Sequence, residues 1–191
     1  SNSLVIHPAS RATILPVRIG IFTDTYRPEV NGVVTVIDMM AREFGKAGHE
    51  VVIFCPKHPR RAHDIPGVID FRSVPFIFYK GMRAAFPFNR AAFPVLRRLD
   101  IIHSHSPGPV GLLGLWASGR YGIPHVHTYH DHYVEYRHYL PRVIRPSAEM
   151  VKRLSRGFSH RCEAVIAPSA EMGKELRSYG IRSPIHALPF G

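Results

Sequence analysis

Seven of the thirteen histidines of this chain lie between positions 103 and 138. His103 and His105, like His125 and His127, are two residues apart, so within a β-strand the members of each pair share one face. Paired imidazoles can bind zinc, but neither a CxxC nor an HExxH sequence accompanies them. We therefore expect hydrogen-bonded histidines of a core or a cleft and no metal, with zinc binding as the alternative.

Two further features stand where a ligand could bind. His130 follows the apolar segment HVHTY, and Asn31 and Gly32 lie in the loop after the apolar segment VRIGIF. In an open parallel sheet, ligands bind outside the carboxyl ends of the strands. A glycine at a helix start lets a ligand approach the backbone, where free N–H groups favour a phosphate or diphosphate. The sequence therefore predicts a diphosphate contact at Gly32 and places His130 at the same edge, with a plain Asn-Gly turn as the alternative.

A serine or cysteine nucleophile is not indicated. No GxSxG sequence occurs, and Ser106 stands before Pro107, in a turn rather than at a nucleophilic position. Ser169 comes just before a helical segment and is expected to cap it. Cys55 and Cys162 lie far apart in apolar segments, which is typical of reduced core thiols in a cytoplasmic protein.

Short apolar segments alternate with amphipathic ones along the chain. Helices are expected at Val33–Lys46, Val110–Gly122 and Ala170–Tyr179. The strand-like segments are VRIGIF, EVVIFC, VIDFRSV, DIIHSH, PHVHTY, EAVIAP and PIHALP. This alternation predicts an α/β domain at residues 17–191, a Rossmann-like parallel sheet with helices on both faces. Residues 1–16 are expected to be an N-terminal extension or a tag-derived segment.

The chain carries a formal net charge of +11. Such an excess favours a polyanionic partner, which leaves nucleic acid, an anionic membrane surface and phosphorylated ligands open, beside a solvated surface without a partner. Residues 75–98 are rich in aromatic and basic side chains and are expected to form a surface loop with a short amphipathic helix. Their basic residues are Lys80, Arg83, Arg90, Arg97 and Arg98. No apolar run reaches the roughly 18 to 20 residues of a membrane span.

Ordered segments of the chain carry a family resemblance. They are RIGIFTDTYRPEVNGVVTVIDMMAREFGKAGHEVVIFCP, DIIHSHSPGPVGLLGLWASGRYGIPHVHTYHDHYVEY and AVIAPSAEMGKELRSYGI, followed by ALPFG. Together they resemble the N-terminal half of the family 4 retaining glycosyltransferases of the GT-B fold. The diacylglycerol glucosyltransferases and phosphatidylinositol mannosyltransferases are the most similar members. The resemblance covers nearly the whole chain from Val17 on, and it implies two Rossmann-like domains with the chemistry in the cleft between them.

The resemblance also implies roles for individual residues. It implies that the backbone of Asn31, Gly32 and Val33 approaches the donor diphosphate. His130 matches the catalytic histidine that touches the donor sugar. The acceptor-side candidates are Tyr26, His105 and Tyr133. Asp131 stands where relatives often have a small polar residue, which bears on the acceptor preference.

The implied reaction is front-face sugar transfer with retention, from a UDP- or GDP-linked donor and without a cofactor or metal. The family's donor-binding domain is expected after Gly191, so the chain alone should be inactive. The basic residues of segment 75–98 are expected to bind an anionic membrane surface at the cytoplasmic face of the plasma membrane, which delivers a lipid acceptor such as diacylglycerol. A soluble sugar or metabolite acceptor is the alternative within the family. A basic nucleic-acid-binding module is the alternative outside it, supported by charge alone.

Overall fold

The computed structural model describes residues 15–61, 64–76, 83–130 and 145–190. The strands in this part of the chain are β1 Arg18–Phe22, β2 Glu50–Pro56, β3 Val68–Phe71, β4 Ser73–Pro75, β5 Arg83–Ala85, β6 Ile101–Ser104, β7 His125–Thr128, β8 Ala164–Ala167 and β9 Ile185–Ala187. The helices there are α1 Gly32–Lys46, α2 Ala92–Leu96, α3 Pro109–Tyr121, α4 Ala148–Ser159 and α5 Ala170–Ser178. Strands and helices alternate over most of this length, as the sequence predicts.

The main sheet has seven parallel strands in the order β3-β2-β1-β6-β7-β8-β9. The chain runs outward from β1 to β3 and then returns to β6, on the other side of β1. This reversal opens a crevice outside the carboxyl ends of β1 and β6, which is where doubly wound sheets bind ligands. The predicted Rossmann-like fold class is confirmed.

Alternate residues of the central strands build two separate cores. Ile19 and Ile21 of β1 pack with Ile37 of α1 in one cluster of buried side chains. Phe22 points to the opposite face, where it belongs to the cluster that contains Leu113 of α3. Its ring stacks on Phe54 of β2 at a centroid distance of 4.5 Å. Helices therefore cover both faces, because the period-2 alternation of β1 puts large apolar side chains on each side of it.

The local sequence explains where the helices begin and end. The side chain of Asn31 accepts a hydrogen bond from the Val34 amide at 3.0 Å and caps α1, and Gly48 follows the helix with a positive φ of 87°. Ser169 caps α5 in the same way, as predicted, through the Met172 amide at 3.1 Å. The three predicted helices agree with α1, α3 and α5 to within one residue at each end.

The structure corrects the prediction of one continuous strand in VIDFRSV. The segment divides into β3, which pairs with β2, and β4, which leaves the main sheet and pairs antiparallel with β5. The change of side-chain environment explains the division, since Phe71 is buried in the main core whereas Val74 is exposed. Within segment 75–98, the described residues contain β5 and the five-residue α2.

Glycines let α3 lie close against the sheet and its loops. A Cβ atom on Gly111 would stand 1.7 Å from the carbonyl oxygen of Ser106, and one on Gly114 would stand 3.0 Å from the Phe22 ring. Gly119, on the same helix, is exposed and has no atom within 4 Å of its Cβ position. The two ends of α3 thus differ sharply in how closely they are packed.

Replacement of Gly111 by Ala is expected to lower the free energy of unfolding by about 3 kcal/mol, because the backbone of Ser106 has to move to admit a methyl group. Urea denaturation followed by circular dichroism measures this change in the purified chain.

The matched control is Gly119→Ala, which should raise the unfolding free energy by about 0.5 to 1 kcal/mol through helix propensity alone. Equal effects of the two substitutions would contradict the close packing of α3 against the loop after β6.

Candidate active site

The carboxyl ends of β1, β6 and β7 bring the predicted site residues to one edge of the sheet. Residues 23–31 follow β1, His105 and Ser106 follow β6, and His130 stands two residues after β7. Side-chain hydrogen bonds join these loops, because Asp24 contacts Ser106 and His105 contacts His130. The predicted diphosphate loop and the predicted catalytic histidine therefore belong to one connected set of contacts.

A buried carboxylate, Asp24, holds the first two of these loops together. It is 2% exposed and accepts hydrogen bonds from the Ser106 hydroxyl at 2.5 Å and the Val110 amide at 2.9 Å. The Asp24 amide in turn donates to the Ser106 hydroxyl at 3.0 Å. Ser106 is thus committed to structure, in agreement with the predicted turn rather than a nucleophile.

Asp24 also acts as the N-terminal cap of α3. The helix begins after Gly108, which has no side chain for the purpose, and a Cβ atom there would stand 2.5 Å from the Asp24 carboxylate. Burial raises the pKa of Asp24, while the Ser106 hydroxyl and the amides of Val110 and Gly111 lower it. The positive end of the α3 dipole further favours a carboxylate at this position. Asp24 was not predicted from the sequence, although its position two residues after β1 and the PGPVG helix start were the available signals.

The start of α1 has the character of an anion site. Asn31 links the helix to the preceding loop, since its Nδ2 donates to the Thr25 hydroxyl at 3.0 Å. Gly32 is exposed, and no atom lies within 4 Å of its Cβ position. In the part of the chain that the structure describes, the amides of Gly32 and Val33 have no hydrogen-bond acceptor. No acidic side chain stands in the first turn, so the free amides and the helix dipole remain available to a negatively charged group.

His130 is held from two sides. Its Nε2 lies 2.8 Å from Nδ1 of His105, and the ring of Phe190 lies 5.3 Å from its own at an angle of 29°. The His105 ring lies tilted by 30° against the His103 ring at a centroid distance of 4.4 Å, and His103 Nε2 bonds the Thr128 hydroxyl at 2.7 Å. His105 is 1% exposed and lies behind His130.

The other strand histidines are core residues. The register of β6 and β7 places His103 beside Val126 and Ser104 beside His127, so the two histidine pairs face opposite sides of the sheet. The Ser104 hydroxyl bonds His125 Nε2 at 2.7 Å and His127 Nδ1 at 2.9 Å. Among the described residues, no group of three or more histidine, cysteine or acidic side chains is arranged to hold a metal ion.

Burial lowers the pKa of these histidines far below its usual range. The pKa falls to about 3 for His103 and His127 and to about 4 for His125 and His130, with desolvation as the main cause. The imidazoles are therefore neutral at pH 7 and offer hydrogen bonds rather than charge. Cys55 and Cys162 are likewise buried, as predicted, and neither forms a disulfide.

The structure describes two of the three predicted acceptor-side residues, His105 and Tyr26. Tyr26 is buried, and its hydroxyl donates to Asp38 of α1 at 3.0 Å, where Arg27 also binds at 2.8 Å. These contacts tie the loop after β1 to α1. Tyr133 and Asp131 lie outside the described residues, and the acceptor roles of all these residues stay predictions.

The predicted basic surface is only partly as expected. Arg90, Arg97 and Arg98 are exposed. Arg83 differs from the expectation, because its guanidinium donates to the Ser73 hydroxyl of β4 at 2.7 Å and to the carbonyl of Lys57, the residue after β2, at 3.1 Å. Lys80 lies outside the described residues.

Aromatic side chains stand beside these arginines and continue onto α3. Phe88 is 84% exposed. Its ring contacts Phe93 edge-on at a centroid distance of 6.1 Å, and the Phe93 ring contacts Trp116 in the same way, also at 6.1 Å. The Trp116 ring in turn contacts Tyr121 edge-on at 5.8 Å. The guanidinium groups of Arg97 and Arg120 lie over the Tyr121 ring. We call this set the aromatic-basic surface, and its members are Phe88, Arg90, Phe93, Arg97, Arg98, Trp116, Arg120 and Tyr121. The part on α3 was not predicted from the sequence.

Acidification is expected to unfold the chain. The folded-state pKa values of four histidines lie below the unfolded value of about 6.5, so the unfolded chain binds more protons in this window and stability falls as pH falls through it. We expect the unfolding free energy to drop by on the order of 3 kcal/mol or more between pH 6.5 and pH 5. The raised pKa of Asp24 acts in the opposite direction, but it is one group against four. Urea denaturation at a series of pH values measures the slope.

The variant His127→Phe should show a shallower dependence of the unfolding free energy on pH, because it has one buried imidazole fewer. A phenyl ring suits this position, since the His127 ring lies against Tyr129 and Phe158. The control His186→Gln, at an exposed position of β9, should leave the slope unchanged. Stability that is constant between pH 7 and pH 5 would contradict the neutral buried state of these histidines.

Comparison with known proteins gives the family. The sequence model of Glycosyltransferase Family 4 matches residues 30–191. The alpha-monoglucosyldiacylglycerol synthase of Streptococcus pneumoniae is 40% identical over 180 residues, which are 91% of this chain and 40% of that protein. A GDP-mannose-dependent alpha-mannosyltransferase of Mycobacterium tuberculosis is 29% identical over 121 residues, 59% of this chain and 32% of that protein. The chain thus spans well under half the length of these curated relatives.

The fold has solved counterparts as well. The sucrose-phosphate synthase of Thermosynechococcus elongatus superposes with a TM-score of 0.58 at 15% identity, over 92% of this chain and 48% of that chain. At this identity the likeness concerns the fold alone, a Rossmann-like domain of the GT-B glycosyltransferases. The resemblance predicted from the sequence is confirmed, and the chain belongs to Glycosyltransferase Family 4.

Proposed function

We propose that this chain is the acceptor-side domain of a retaining glycosyltransferase that transfers a hexose from a nucleotide sugar to diacylglycerol. The observation that carries the proposal is the shared sheet edge, where the free amides of Gly32 and Val33 follow β1 and the imidazole of His130 follows β7, on either side of β6. The 40% identity to an alpha-monoglucosyldiacylglycerol synthase supports glucose as the sugar and diacylglycerol as the acceptor. A UDP- or GDP-linked sugar is the donor, and no metal or cofactor is required.

The geometry of this edge suits a reaction in which a diphosphate leaves. The free amides at the start of α1 donate to the diphosphate, and the positive end of the helix dipole stabilises the charge that grows on it. The acceptor hydroxyl attacks the anomeric carbon on the face from which the diphosphate departs, so the configuration is retained. His130 is neutral at pH 7 and orients the sugar through a hydrogen bond. A second, donor-binding domain supplies the remaining contacts, so the chain alone lacks transfer activity.

A lipid acceptor requires access to a membrane, and the aromatic-basic surface is suited to provide it. Trp and Tyr side chains favour the interface between headgroups and acyl chains, and each arginine near an anionic surface contributes about 1 kcal/mol. Phe88 and Trp116 are exposed large apolar side chains beside exposed arginines. Among residues 15–61, 64–76, 83–130 and 145–190, no helix combines the length and apolar character that crossing a bilayer demands. We infer peripheral attachment at the cytoplasmic face of the plasma membrane.

The two alternatives have less support. A soluble acceptor would leave the exposed aromatic side chains beside the arginines without a partner. A nucleic-acid-binding module rests on the net charge of +11 alone, and that charge is accounted for equally well by anionic lipid headgroups.

The diphosphate contact can be tested at Gly32. Gly32→Ala should not lower the stability, because its Cβ position is open, yet the methyl group would stand where the diphosphate approaches. In the two-domain protein, we expect the KM for the nucleotide sugar to rise about tenfold, a loss of about 1.4 kcal/mol, while the KM for diacylglycerol stays the same. Transfer of radiolabelled glucose from UDP-glucose to diacylglycerol in mixed micelles measures both constants.

Gly45→Ala is the matched control, since Gly45 lies in the same helix with equally open surroundings but far from its start. An unchanged KM for the nucleotide sugar in Gly32→Ala would contradict the proposed contact between the diphosphate and this loop. If the two-domain protein transferred no glucose to diacylglycerol but did transfer it to a soluble sugar, the lipid acceptor would be wrong and the soluble acceptor would take its place.

Membrane attachment can be tested by charge position. Replacement of Arg97 and Arg98 by Ser should weaken binding to vesicles that contain phosphatidylglycerol by about 2 kcal/mol, roughly thirtyfold, because two cations leave the aromatic-basic surface. Sedimentation of the chain with vesicles at physiological salt measures the partition coefficient, and neutral vesicles give the reference.

The control removes two positive charges elsewhere, through Lys174→Ser and Arg182→Ser, both exposed and beyond β8 along the chain. It should cost far less binding. Equal losses in the two double variants would assign the attraction to net charge alone, and no binding of the unaltered chain would argue against a membrane surface.

A further inference from the structure

The candidate catalytic histidine has a buried partner directly after the neighbouring strand β6. His105 Nδ1 lies 2.8 Å from Nε2 of His130. His105 is 1% exposed, whereas His130 is half-buried. The second ring nitrogen of His105, Nε2, is buried and has no hydrogen-bond partner among the described residues. The second ring nitrogen of His130, Nδ1, makes no hydrogen bond to those residues either.

These environments decide which ring donates the shared proton. Both rings are neutral at pH 7, since burial lowers the pKa of each. A neutral imidazole has one N–H and one bare nitrogen, so one ring donates and the other accepts. If His130 donated, His105 would carry its proton on Nε2 and bury an N–H group without an acceptor. Buried N–H groups without an acceptor are rarer in folded proteins than buried acceptors without a donor.

We propose that His105 is a positioning residue: its Nδ1–H donates to Nε2 of His130 and thereby fixes the His130 proton on Nδ1. The proton then lies on the ring nitrogen that has no partner in the described part of the chain. Isolated neutral histidines favour the opposite tautomer, with the proton on Nε2. The buried partner therefore reverses the ordinary preference of the exposed one.

The surrounding rings hold the pair in this orientation. The His103 ring packs against the His105 ring at a centroid distance of 4.4 Å, tilted by 30°, and His103 is itself hydrogen-bonded to the Thr128 hydroxyl. Phe190 stacks on His130 at 5.3 Å. Because both members are packed against aromatic faces, neither imidazole can rotate freely to exchange its nitrogens.

The tautomer follows from this geometry and from the neutral state of both rings, whereas its use in catalysis rests on the proposed function. With the proton on Nδ1, His130 presents an N–H group, and a hydroxyl oxygen of the bound sugar accepts a hydrogen bond from it. In the other tautomer the same position would be a bare nitrogen, which needs the sugar hydroxyl to be the donor. His105 would thus select how the sugar is oriented at the reacting centre.

Nitrogen NMR tests the tautomer without any reaction. In the chain labelled with ¹⁵N-histidine, two-bond ¹H–¹⁵N spectra at pH 7 should show His130 with a protonated Nδ1 and a bare Nε2. His105→Phe removes the donor and should return His130 to the Nε2–H form. His105→Asn places an amide near the former Nδ1 and should preserve the Nδ1–H form. A protonated Nε2 on His130 in the unaltered chain would overturn the inference.

Kinetics of the two-domain protein test the positioning role. His105→Phe should lower kcat on the order of tenfold or more, as loss of an orienting partner does, with little change in KM. His105→Asn should recover most of the rate. The control His127→Phe removes a buried imidazole from the opposite face of the sheet and should change neither the His130 tautomer nor kcat.

The two proposals fail in different ways. If His130→Ala leaves kcat unchanged while the Nδ1–H form is observed, the catalytic role of His130 is wrong and the tautomer assignment stands. If His130→Ala abolishes transfer but His105→Phe does not lower kcat, His105 is not a positioning residue.

Discussion

The buried carboxylate of Asp24 is the interaction on which the site depends. A carboxylate removed from water is costly unless its oxygens accept hydrogen bonds, and here they accept them from Ser106 and from the first amides of α3. Those donors come from residues more than eighty positions further along the chain. The loop after β1, the loop after β6 and the start of α3 must therefore take up their places together, and Gly108 and Gly111 are small because the carboxylate and the Ser106 carbonyl occupy the space beside them.

This connection carries order to both halves of the candidate site. Thr25, directly after Asp24, accepts a hydrogen bond from Asn31 and so sets where α1 begins. On the other side, His105 directly precedes Ser106 and holds His130. The free amides of α1 and the His130 imidazole are thus placed relative to one another through Thr25 and His105. These two residues adjoin Asp24 and its hydrogen-bond donor Ser106 along the chain. A ligand that spans both would meet groups that are already in position, which lowers the entropic cost of binding it.

Local patterns predicted the elements well and the contacts between them poorly. The alternation of apolar and amphipathic segments was enough for the parallel sheet, for α1, α3 and α5, and for Gly32 and His130 at one edge, because each of these follows from neighbours in the sequence. The Asp24 cap joins residues 86 positions apart, and the His105–His130 bond joins residues 25 apart. The pairing of β4 with β5 was not predicted for the same reason, since no short-range signal identifies the partner of a strand that leaves the main sheet.

The distribution of charge separates two tasks. Around the candidate site the imidazoles are neutral, Arg27 is paired with Asp38, and Arg61 is paired with Asp70. In the proposed reaction, the stabilisation that this domain gives to the leaving diphosphate would therefore come from backbone amides and a helix dipole, which need no counter-ion and no desolvated cation. The exposed Arg97 and Arg120 lie instead over the Tyr121 ring, at the end of α3 remote from its N-terminal cap. Because solvent-exposed charges act over about a Debye length, roughly 8 Å at physiological salt, the membrane role proposed for these arginines requires the anionic surface to lie directly against them.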